Sequence, residues 1–85
     1  MTIKEVVSAL KKAGLEAKHN KANWGDWIVF GGKETVVSIE SLHGGLTTAA
    51  TVEASEGEDE LEEKIVGVFR KMGWEGEDED GRYPL

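Results

Sequence analysis

The sequence predicts a small α+β domain. Its expected architecture is a two-layer sandwich, α-β-β-β-β-α, with two helices on one face of a four-stranded antiparallel meander. Three observations predict it. Apolar residues recur with helical period near both ends of the chain. Between those stretches the period falls to two, with β-branched residues abundant. Glycine pairs at 31–32 and 44–45 break the middle into short pieces, and short turns require antiparallel neighbours because parallel pairs need long crossovers. At 85 residues, 39% of them hydrophobic, the chain has material for one modest core.

The elements follow in order. Ile3, Val6, Val7 and Leu10 form an i, i+3, i+4, i+7 stripe, which predicts a helix over 2–13. Thr2 and Glu5 have capping-box spacing, Lys11 and Lys12 suit the negative end of the dipole, and Gly14 suits a left-handed stop. Leu15, Ala17 and His19 alternate with Glu16 and Lys18, so a first strand is expected, then a polar turn over 20–25. Trp27 to Phe30 is an apolar run expected to be buried on both faces. After the turn at 31–33, Val37 and Ile39 should share one face, with Val36, Ser38 and Glu40 on the other. Beyond the turn at 43–45, Leu46 to Ala54 alternates again. Leu61, Ile65, Val68, Phe69 and Met72 predict a second helix over 58–72, capped by Ser55 or Gly57 and ended by Gly73, with Trp74 folding back on it. Residues 1–74 are thus expected to form a single α+β domain, and 75–85 an acidic, partly disordered tail. The open sheet face should carry Glu16, Lys18, Ser38, Glu40, Thr47 and Thr51.

Composition narrows the function. Without cysteine there is no disulfide, thiolate nucleophile or Cys-ligated zinc, which suits a cytoplasmic location. No apolar run approaches a membrane span, and the first five residues lack signal-peptide shape, so no membrane role is expected. The net charge of −7 is unevenly spread. Residues 1–52 hold six Lys/Arg and five acids, whereas 53–85 hold four and twelve. Such a field disfavours direct contact with nucleic acid and favours a protein partner with a basic surface.

Motifs for catalysis are missing. Neither His19 nor His43 stands at metal-ligand spacing from another histidine. No serine lies in a Gly-x-Ser-x-Gly elbow, and the glycine pairs join strand to strand rather than strand to helix, unlike a phosphate loop. Asp78-x-Asp80-Gly81 is only a fragment of a calcium loop. A non-enzymatic protein without cofactor or metal is expected. The distinctive residues are instead two acidic clusters, Glu56 to Glu63 and Glu75 to Asp80. They give the candidate partner-binding set: Glu58, Asp59, Glu62, Glu63, Glu75, Glu77 and Asp78, with Trp24 as an aromatic anchor in a polar turn. The ordinary reading of such clusters is a solvated helix face and a solubilising tail. Tyr83, in the charged tail, has no evident core role.

The stretch Glu63-Lys64-Ile65-Val66-Gly67-Val68-Phe69-Arg70-Lys71-Met72-Gly73-Trp74, followed by acids to Asp80, resembles small acidic phage proteins that inhibit CRISPR nucleases. The capped first helix and the meander add to the likeness. The resemblance implies an αβββα-like fold whose acidic residues occupy the site of target DNA. This chain has one more expected strand, and no site residue is carried over.

Two functions are therefore expected, with a metal or small-ligand binder using His43 and nearby carboxylates as a distant third. In the first, the acidic C-terminal third docks on a basic partner, most sharply a nucleic-acid-binding enzyme blocked by mimicry of DNA charge. In the alternative, a small accessory or chaperone-like domain dimerises through its open sheet face. The chain is expected to be a monomer or a homodimer.

Overall fold

Local chemistry sets the first helix as expected. In the computed structural model, which describes residues 2–22, 25–41, 47–74, 76 and 82–84, α1 spans Ile3–Lys12 and Thr2 caps it through the backbone of Glu5. The Glu5 carboxylate returns the bond, completing the capping box. Gly14 takes a left-handed φ of 89° just past the end, where a side chain would be strained. The second helix, α2, spans Asp59–Lys71, and Gly73 ends it at φ 93°.

Between the helices run β1 (Ala17–Ala22), β2 (Gly25–Phe30), β3 (Val36–Ser41) and β4 (Thr47–Glu53), each antiparallel to the next. Both helices pack on the same side of this meander, because Val6, Leu10, Ile65, Val68 and Phe69 share one core with Ala17, Ile28, Phe30, Val37, Ile39 and Ala50. The expected α+β sandwich is therefore what the chain forms.

Four details differ from expectation. First, β1 runs on through Asn20 to Ala22, so most of the supposed polar turn is strand. Second, β2 is not buried on both faces. Ile28 and Phe30 point into the core, while Trp27 and Val29 are half-buried on the opposite face. An apolar run this short does not distinguish the two cases, since alternation is hidden when both faces carry apolar residues. Third, Thr47 is buried rather than solvated, beside a break in register at Glu40/Ser41 that re-aims the strand start.

The fourth difference is a fifth strand. Arg82–Pro84 forms β5, antiparallel to β4, so the sheet order is β1-β2-β3-β4-β5 and reaches beyond Trp74. Tyr83, opposite Ala50, is only 3% exposed. Its ring lies 5.6 Å from that of Phe69, and the Trp74 ring lies 4.5 Å from Phe69 on centroids. These tilted contacts make an aromatic cluster under α2. Tyr83 thus has the core role that its charged surroundings concealed.

Candidate functional site

The acidic clusters divide once the structure is in view. Docking the Leu61, Ile65, Val68, Phe69 and Met72 stripe of α2 turns the rest of the helix outward. Asp59, Glu60 and Glu63 are exposed and Glu62 is half-buried. Among the described residues, no side-chain hydrogen bond or ion pair engages any of these four carboxylates. Three of them, Asp59, Glu60 and Glu62, lie in the first turn, where the helix dipole stabilises negative charge. A shallow groove of about 450 Å³ follows the outer surface, lined by Glu62, Glu63, Val66, Gly67 and Arg70.

Glu58 behaves differently from its neighbours. It occupies the N-cap position of α2 but makes no side-chain bond to its own helix. Its carboxylate reaches back across the fold to the start of β3. The Thr35 hydroxyl donates to Oε1 at 2.6 Å and the Thr35 N–H at 2.8 Å, and the Glu34 N–H adds bonds at 3.2 Å to each oxygen. Thr35, itself fully buried, accepts from the Ser55 N–H at 3.0 Å. The Ser55 hydroxyl in turn donates to Glu34 at 3.1 Å. The Thr35 hydroxyl bond, then the Thr35 and Glu34 N–H groups and the Lys33 charge, hold the Glu58 carboxyl below its ordinary value despite partial desolvation. Glu58 therefore fastens two loops, and its carboxylate is engaged within the fold. Sequence reasoning missed Thr35, Ser55 and Glu34 in this cluster. The one available signal was the Ser-x-x-Glu spacing of Ser55 and Glu58, which normally marks a local capping box.

The remaining candidates are placed as follows. Trp24, Glu75, Glu77 and Asp78 lie outside the described residues, as does His43. His19 Nε2 sits 2.8 Å from Asp26 Oδ1 across β1 and β2, a diagonal cross-strand pair. Among the described residues, no hydroxyl is hydrogen-bonded to this pair. No group of three or more His, Asp or Glu there is arranged to hold a metal ion. No described helix is long and apolar enough to cross a membrane.

Comparison with protein-family models, curated proteins and solved structures yields no match for this chain.

Proposed function

We propose that this protein is a non-enzymatic binding protein whose acidic C-terminal third docks on the basic surface of a protein partner. The observation that supports the reading is the row of unengaged carboxylates at Asp59, Glu60, Glu62 and Glu63 on a helix anchored by Ile65, Val68 and Phe69. A helix rises about 1.5 Å per residue. Four charges over this short stretch thus fall about one per 1.5–2 Å of axis, against about one per 1.7 Å along duplex DNA. A surface evolved to grip phosphates would meet a similar local charge density here. The sharpest version of the proposal is occupation of the basic groove of a nucleic-acid-binding enzyme, as the likeness to phage inhibitors of CRISPR nucleases suggests.

The test is binding to a partner captured from native lysate, measured at low and high salt for the wild type and an Asp59→Lys, Glu60→Lys, Glu63→Lys variant. Glu58 is left intact so that the fold is kept. Binding should weaken with salt and be lost in the variant. Unchanged affinity in a folded variant would rule the surface out.

A second reading has its own support. Trp27, Val29 and Val36 are half-buried on the sheet face away from the helices, with Val29 paired to Val36. An accessory domain that dimerises would use this face. Light scattering of Val29→Asp separates the readings: only in the second does the variant shift from dimer to monomer.

A further inference from the structure

The other end of the molecule has the opposite charge and an unfinished sheet. β1 is the outermost strand of the sheet, and β2 is its ladder partner. An unpaired row of N–H and C=O groups is a template for another strand. Beside it lies a groove of about 410 Å³ between α1 and β1, lined by Ile3, Lys4, Val7, Lys11, Ala17, Lys18 and His19. Its position follows from the helix. Val6 and Leu10 point into the core, and the Ala9, Ala13 side of α1 faces Val68 and Met72 of α2. The Ile3, Val7, Lys11 flank is left facing outward along β1, with Ile3 and Val7 half-buried.

Charge selects the occupant. Residues 1–22 carry five lysines and two glutamates in a chain of net −7. Among the described residues, none of Lys4, Lys11 and Lys18 lies within ion-pairing distance of a carboxylate. A second copy of β1 is a poor fit, because antiparallel pairing centred on the strand sets Lys18 against Lys21, and like charges directly opposite are destabilising. The lysines that oppose self-pairing attract an acidic strand. We propose that the outer edge of β1 and the α1–β1 groove form a docking site for an extended acidic peptide segment of a partner protein, added as a sixth strand. Its backbone would pair with β1, its apolar side chains on the helix side would cover Ile3 and Val7, and its carboxylates on the opposite side would meet Lys18, with Lys4 and Lys11 adding attraction at longer range. This site is separate from the acidic face of α2 and does not depend on its function.

The test is an amide NMR titration of the full chain with a synthetic peptide, acetyl-Asp-Val-Glu-Val-Glu-Ile-Asp-amide, carried into the millimolar range. Main-chain pairing tolerates varied sequence, so a generic acidic strand is a fair probe. Shifts should concentrate in β1 and the Ile3–Lys11 flank, and β1 amides should gain exchange protection. A Lys4→Glu, Lys11→Glu, Lys18→Glu variant, shown by circular dichroism to melt normally, should bind at least about tenfold more weakly, as reversal of one direct contact and two longer-range attractions implies. The lysine counterpart, acetyl-Lys-Val-Lys-Val-Lys-Ile-Lys-amide, should not bind. The proposal is overturned if the acidic probe leaves β1 unshifted, if shifts map to the open sheet face, or if the charge of peptide or variant makes no difference. Concentration-dependent dimerisation through β1 without peptide would assign the edge to a second copy and equally overturn it.

Discussion

The two helices of this molecule begin in opposite ways. α1 supplies its own start: Thr2 and Glu5, three residues apart, close a capping box within one turn. α2 begins at Glu58, whose carboxylate ignores its own helix and ties itself to Thr35, 23 residues earlier. The first arrangement is local and can form before the rest of the chain is in place. The second exists only once β3 and the loop before α2 are together. An acid at a helix start can therefore be a cap, a dipole partner or a tertiary fastening, and its residue type alone does not say which.

That contrast is open to attack at several strengths. The most damaging change should be Phe69→Ala, because Phe69 is fully buried under both Trp74 and Tyr83. It should cost about 3–5 kcal/mol, enough to unfold most of so small a domain, as a denaturant melt would show. Deleting 82–85 should also lower the melting temperature clearly, since it removes β5 and the Tyr83 ring. A near-normal melt for either change would mean that α2 is held otherwise.

Next comes Thr35→Val, which preserves shape but strands the Ser55 N–H and removes the 2.6 Å bond to Glu58. A loss of about 1–3 kcal/mol is expected from the buried groups left unpaired. Thr2→Ala should cost less, about 1 kcal/mol, as a cap on an exposed helix end. Equal effects of the two substitutions would erase the distinction between a local and a tertiary start.

The Glu58 carboxyl gives the contrast a pH signature. Its folded value lies below the ordinary 4.5. Its stabilising contribution is therefore present in full above that ordinary value, and is lost as pH falls through the lowered folded one. Glu58→Gln should be less stable than wild type at neutral pH, and the gap should close on acidification below about 4.5. A gap that stays constant with pH would show that the ionised carboxylate is not what fastens the loops.

Much of the fold was legible for the same reason that α1 was. Periodicity, caps and turns are local, and they placed both helices and the antiparallel meander. What escaped depends on distant partners. Ser55 and Glu58 have the spacing of a capping box, but Ser55 turns to Glu34 and Glu58 to Thr35. Tyr83 reads as tail because its neighbours are charged, and only the exposed edge of β4 and the Phe69 ring give it a place. In the candidate site, the outward position of Asp59, Glu60 and Glu63 followed from the apolar stripe of α2. The withdrawal of Glu58 from that surface could not be read without β3.

The central claim is that one acid of the cluster holds the fold while its neighbours face outward as a docking surface. Parallel measurement of two variants tests it most directly: Glu58→Gln, and the combined Asp59→Lys, Glu60→Lys, Glu63→Lys change, each followed by thermal melting and by affinity for the captured partner. The account predicts that Glu58→Gln lowers the melting temperature and leaves the affinity of the folded fraction nearly unchanged. The triple change should abolish partner binding in a protein that remains folded, with only the modest cost of cations at a helix start, about 0.3–1 kcal/mol each. The reverse pattern, a normal melt for Glu58→Gln and intact binding for the triple variant, would contradict it.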